Sequence, residues 1–159
     1  MWPLGVLALK GFCVDSFTGV LRCSGVVYDV FRGVIVALSV ATNSGFSYKM
    51  AVDTDLEADA KVNIFGSGVE LHLLDVDNAA NGSQVVYVKL YDSSKTVTVG
   101  ETAPDYQFRI AGGARLMFVM PGGVSFAGGL TMNCSTTAGT SGDTTTDPTN
   151  GVIVNLVAK

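Results

Sequence analysis

The sequence predicts an all-β protein: a β-sandwich or jelly-roll-like domain of about seven to eight short antiparallel strands behind an apolar N-terminal appendage. Three observations predict it. Short runs rich in Val, Leu, Tyr and Phe recur from Val69 onward between polar turn residues. The 19 glycines and the many Thr and Ser residues favour strands joined by tight turns over helices. Hydrophobic residues make up 48% of the chain and charged ones 15%, which supplies a packed core and excludes a charge-rich disordered chain.

Two segments of different character divide at position 50. In residues 1–49, Lys10, Arg22, Arg32 and Lys49 stand against Asp15 and Asp29, whereas residues 50–159 are acidic and account for the overall charge of −4. Residues 1–49 are apolar without a clean period. A signal peptide needs a positive region before its apolar stretch, and Met1-Trp2-Pro3-Leu4 has none. A spanning helix needs about 20 apolar residues, and the stretch from Gly25 to Ala41 is interrupted by Asp29 and Arg32. Met50 opens a stretch that reads as an ordinary soluble N-terminus, so residues 1–49 are expected to be an upstream extension of the natural start.

After a short acidic stretch (Asp53, Asp55, Glu57, Asp59), the first strand is expected at Val69–Val76 and the second at Val85–Tyr91. The polar loop from Asp77 to Gln84 between them suggests a hairpin. Further strands are expected at Asp105–Ala111, Ala114–Met120, Val124–Phe126, Leu130–Ser135 and Val152–Val157, with a short edge strand at Thr96–Val99. Around Gly112-Gly113, a three-residue hairpin loop would pair Ile110 with Leu116 and Phe108 with Phe118, gathering one apolar face. A two-residue loop would pair Ile110 with Arg115 and mix the faces. The first register is therefore expected. It leaves Arg109, Arg115, Met117 and Val119 on the outward face, as scattered surface residues or as a contact patch. The Thr/Ser/Gly loop from Ser135 to Asn150, with Thr144, Thr145 and Thr146 near its tip, exceeds the usual length and is a second candidate for gripping a neighbour.

No residue pattern for catalysis stands out. His72 is the only histidine, there is no Gly-x-Ser-x-Gly elbow, and no glycine loop of the phosphate-cradling kind occurs. Asp75, Asp77 and Asn78 begin like a calcium loop but lack its remaining oxygen ligands and closing Glu. Asp143 and Asp147 could flank a cation in the Thr-rich loop. Glu70, Asp75 and Asp77 form no glycosidase pair without a known separation. Cys13, Cys23 and Cys134 contain no Cys-x-x-Cys and cannot all pair within the chain, so neither a disulfide framework nor a zinc site is expected. Without a Lys/Arg run, nothing supplies the clustered cations of a nucleic-acid surface. The expectation is a non-enzymatic protein with no cofactor, no metal, no nucleic-acid partner and no membrane segment.

From Phe65 to Leu156 the chain resembles small β-sandwich virion structural proteins of tailed bacteriophages, of the head-decorating, cementing or tail-associated type. The resemblance rests on the order of several pieces: Leu73-Leu74-Asp75-Val76-Asp77-Asn78, then Val86-Tyr87-Val88-Lys89-Leu90-Tyr91-Asp92, then Val99-Gly100-Glu101-Thr102-Ala103-Pro104-Asp105. Ala111-Gly112-Gly113 follows, with Pro121-Gly122-Gly123-Val124-Ser125-Phe126-Ala127-Gly128-Gly129-Leu130, a Thr-rich loop, and Val152-Ile153-Val154-Asn155-Leu156. It implies a location in the virion, contacts with major capsid or tail proteins, and many copies on a lattice or a homo-oligomer. The competing readings are a tail- or fibre-associated module binding a host glycan or receptor through Tyr87, Tyr91 and Tyr106, and a hydrolase on a sandwich scaffold.

Overall fold

The computed structural model describes residues 13–14, 20–23, 26–29, 38–42, 47–140 and 146–159. The chain forms two compact units, Met1–Val36 and Ala37–Lys159. In the first, β1 (Cys13–Val14), β2 (Val20–Cys23) and β3 (Val26–Asp29) pair antiparallel in sequence order.

The second unit holds two antiparallel sheets. One has the order β4-β5-β11-β6-β9, from β4 (Leu38–Thr42), β5 (Lys49–Leu56), β11 (Val152–Ala158), β6 (Val69–Asp77) and β9 (Arg115–Phe126). The other has the order β10-β7-β8, from β10 (Leu130–Ser135), β7 (Val86–Asp92) and β8 (Tyr106–Ile110). Among the described residues there is no α-helix; Ala79–Asn81 form one 3₁₀ turn. The protein is all-β, as the strand-and-turn pattern predicts.

Period-two alternation builds the core. Opposed residues share a face in an antiparallel pair, so the ladders assemble inward rows across the large sheet. One row runs Val40, Ala51, Leu156, Leu74, Phe118; another runs Leu38, Asp53, Val154, Val76, Leu116. The small sheet faces them with Val86, Val88, Leu90, Ile110, Leu130, Met132 and Cys134, all buried. Phe108 of β8 and Phe118 of β9 close one side, their ring centroids 4.6 Å apart.

Pairing is nested along the chain. The segment after β5 runs beside β10, with Lys61 N–H donating to Met132 O (2.8 Å) and Ile64 N–H to Leu130 O (2.8 Å). Thus β5 pairs with β11, the Lys61 segment with β10, β6 with β9, and β7 with β8. First joins last and second joins next-to-last, which is the jelly-roll arrangement of two sheets.

Nesting overturns both expected local hairpins. Val69–Val76 and Val85–Tyr91 lie in different sheets, so the loop between them is an arch and not a hairpin turn. Neither register around Gly112 forms: Ile110 opposes Val86, and Arg115 opposes Asp77. Phe108 and Phe118 do meet, across the core instead of across a ladder. The two arches are locked together by the fully buried Asn78, whose Nδ2 donates to Gln84 O (2.9 Å) and Ala111 O (3.1 Å) while its backbone N–H donates to Ala114 O (2.9 Å). These buried bonds are available only when the chain crosses between sheets, and they decide against the hairpins.

Three smaller expectations also change. Thr96–Val99 forms no strand; Thr98 O accepts from the N–H groups of Glu101 and Thr102 in a turn. Ala114–Met120 and Val124–Phe126 belong to one strand, β9, interrupted where His72 alone stands between the Leu71–Val124 and Leu73–Val119 pairs. That bulge carries Pro121, Gly122 and Gly123, the last at φ 71. Finally, the boundary expected between 49 and 50 falls inside β5, and the compact unit begins at Ala37. Leu38 and Val40 alternate with exposed Ser39 and Ala41 and pack against the core, a strand hidden in what reads as an aperiodic apolar stretch.

Candidate functional site

The two sheets differ in what covers their outer faces. On the small sheet, the outward residues Lys89, Tyr91, Thr131, Asn133 and Ser135 are buried beneath connecting segments. Asn133 Nδ2 donates to Ala58 O (2.9 Å), Thr131 Oγ1 to Ser93 O (2.6 Å), and Ser135 Oγ to Thr137 O (3.0 Å). Gly139 N–H donates to Gln107 Oε1 (2.6 Å) on β8. Under this cover Lys89 is fully buried, and burial lowers its pKa. Tyr91 donates to Asn133 Oδ1 (3.2 Å), so it is a packing residue and offers no platform for a sugar.

Among the described residues, the outer side of the large sheet is the more exposed. One outward row runs Ala41, Met50, Val157, Leu73, Val119; the next runs Ser39, Val52, Asn155, Asp75, Met117; a third joins Ile153, Asp77 and Arg115. Met50 is 51% exposed, Met117 59% and Val119 63%. The first row therefore presents apolar side chains across adjacent strands, a gathered patch, while in the second Asn155 and Asp75 separate Val52 from Met117.

A polar group sits within this face. Asp75 is buried, and Arg115 closes on it with Nε at 3.0 Å and Nη2 at 2.6 Å, while Asn155 Nδ2 donates to the same carboxylate (3.1 Å). The Arg115 hydrogen bonds hold the Asp75 pKa below the usual carboxylate value. Arg115 Nη1 lies 4.0 Å from Asp77 Oδ2.

The expected contact residues separate accordingly. Arg115, Met117 and Val119 share the open face. Arg109 lies on β8, outward on the other sheet, because β8 and β9 do not pair. Thr146 sits at the base of the Thr-rich loop, its carbonyl accepting Thr136 N–H (2.9 Å) and Oγ1 (3.1 Å). Thr144 and Thr145 lie outside the described residues. Met50, Val52, Leu73, Ile153 and Val157 belong to the same patch and escape the sequence reading. Their signal is apolarity at successive positions, as in Leu73-Leu74 and Val152–Val157, which marks strands apolar on both faces.

Other candidates resolve into local structure. Asp77 Oδ1 accepts Ala79 N–H (2.9 Å), and with Asp75 held by Arg115 the calcium-like run is a turn. Asp147 Oδ1 accepts Ala58 N–H (2.8 Å); Asp143 lies outside the described residues. His72 stacks edge-on against Tyr48 at 5.3 Å, and its Nε2 is 3.9 Å from Glu70 Oε2. Burial pushes the Cys134 thiol up to about 12. Among the described residues no three His, Cys, Asp or Glu side chains are grouped to hold a metal ion, and no helix is long and apolar enough to cross a membrane. Comparison with known proteins brings no match, whether to a family model, a curated protein or a solved structure.

Proposed function

We propose that the protein is a virion structural protein, an accessory that decorates or cements a bacteriophage head shell through protein–protein contacts. One observation supports this reading above the others: the outer face of the large sheet presents Met50, Met117 and Val119 in adjacent cross-strand rows, each more than half exposed. Burying such a face is favourable by roughly 25 cal/mol per Å² of apolar surface. Many weak copies on a symmetric particle add avidity without any strong single contact. Jelly rolls recur in capsid and lectin domains alike, so the reading rests on the face and on the family resemblance of Phe65–Leu156, not on the fold alone.

The test is mass spectrometry of purified particles of the encoding phage, followed by complementation with Met117→Asp/Val119→Asp. Many copies of the wild-type chain, lost in the double variant, are expected. Absence of the wild-type chain from the particle would overturn the proposal.

A further inference from the structure

On the covered face of the small sheet, we infer that Lys89 and Asn133 join spontaneously in an isopeptide bond, Lys89 Nζ to Asn133 Cγ, with loss of ammonia. The bond ties β7 to β10. Register, burial and the hydrogen bonds held by the Asn133 amide carry the inference together.

Lys89 and Asn133 are directly opposed in the β7–β10 ladder, so both side chains rise from the same outer face of the small sheet. Opposed residues hold their Cβ atoms about 5 Å apart, a gap that the long, flexible lysine stem spans with slack. Both residues are fully buried, which lysine almost never is. Burial lowers the Lys89 pKa and so favours the neutral amine, the nucleophilic form.

The Asn133 amide is held at both of its polar atoms. Tyr91 O–H donates to Oδ1 (3.2 Å), and burial raises the Tyr91 pKa, so this donor keeps its proton. It sits where negative charge develops on the carbonyl oxygen during attack. Nδ2 donates to Ala58 O (2.9 Å), which fixes the plane of the amide.

The amine lone pair forms the new bond to Cγ, and the C=O electrons move onto Oδ1 beside the Tyr91 hydroxyl. Collapse restores the carbonyl and breaks Cγ–Nδ2. Nδ2 then leaves as ammonia, carrying a proton from the amine, and no co-reactant is needed. Packing the two groups together replaces a bimolecular encounter, and burial keeps water, the competing nucleophile, away from Cγ. β8 and β9 lie between the joined residues in sequence, so the bond closes a loop around both strands and restricts the unfolded chain.

The experiment is the intact mass of the purified, denatured full chain, followed by peptide mapping. Wild type is expected to be lighter than its sequence mass by one ammonia, and digestion is expected to yield a branched peptide linking Lys89 to Asn133. Lys89→Arg and, independently, Asn133→Ala are each expected to match their full sequence mass. If either variant fails to fold, the wild-type branched peptide alone decides. A wild-type chain of full mass overturns the inference. So does an ammonia loss that persists in Lys89→Arg, or one that maps to a cyclised Asn81 or Asn150, each of which precedes a glycine.

Discussion

Asp53 is the residue whose replacement discriminates most sharply. It lies on the inward row between Leu38 and Val154, fully buried among core side chains. Its Oδ1 accepts Asp55 N–H (2.9 Å), but Oδ2 has no hydrogen-bond partner among the described residues. Burial raises its pKa above the ordinary 3.8; the Asp55 amide and Lys61 oppose the rise, and the Asp55 charge adds to it. The native state therefore keeps this proton at pH values where the unfolded chain has released it. At this group, wild-type stability is fullest below pH 3.8 and declines as pH rises through the folded value. Asp53→Asn keeps the Oδ1 acceptor and removes the ionisation, although its amide N–H groups still lack partners. An unpartnered buried polar group costs ~1–3 kcal/mol, and the substitution recovers part of that. We expect D53N to be more stable than wild type at pH 7 by about 1 kcal/mol, or roughly 4 °C in Tm for a domain of this size. Urea unfolding at pH 7 and at pH 3.5 measures both, and the gap should narrow in acid. A D53N protein less stable at pH 7, or a gap that ignores pH, would refute the account of Asp53 as an uncompensated buried carboxyl.

Other substitutions have equally definite outcomes. Arg115→Ala leaves the buried Asp75 carboxylate with the Asn155 hydrogen bond alone and should lower the denaturation midpoint at pH 7. Because Arg115 lowers the Asp75 pKa, the stabilisation is present above 3.8 and disappears as pH falls through the lower folded value, so the cost should shrink in acid. Gly112→Ala drives a Cβ into Ser83 C and Gly82 O of the neighbouring arch, backbone that cannot step aside, and the variant should fail to reach a cooperative thermal transition. A chain started at Met50 loses Leu38 and Val40 from the core and uncovers the edge of β5; light scattering should show it aggregating where the full chain does not. Native alkylation followed by peptide mass spectrometry should leave Cys134 unmodified, since its thiol is buried and almost wholly protonated.

How far the sequence carries depends on whether a residue's role is local. Leu130–Ser135 is read to the residue because its ends are set by Gly129 and by the Thr-rich loop. Val69 and Val152 start strands for the same reason. Partners are a different matter: Asp77–Gln84 and Ala111–Ala114 both look like hairpin turns, and only the buried Asn78, bonding both at once, shows that they are arches. β5 hides because its Asp53 points inward while its exposed end carries more acid, so alternation reads as a charged leader. On the contact face, Met117 and Val119 are visible as outward residues of one strand. Arg109 joins them only through a β8–β9 ladder, which does not form. Val157 joins them only through Leu73, and Met50 only through Val157, pairings between residues far apart in sequence that no local pattern encodes.

β11 follows every other described strand in sequence yet lies between β5 and β6, near the middle of the large sheet. A ribosome delivering this protein must hold β5 and β6 apart, each with an open hydrogen-bonding edge, until Val152–Ala158 have emerged. Completion of the large sheet thus waits for Val152–Ala158, and contact between sequence-distant strands makes it slow. During that interval the exposed edges of nascent chains on one message can pair with each other. A cell making this protein abundantly must either shield those chains or lose some of them to aggregates.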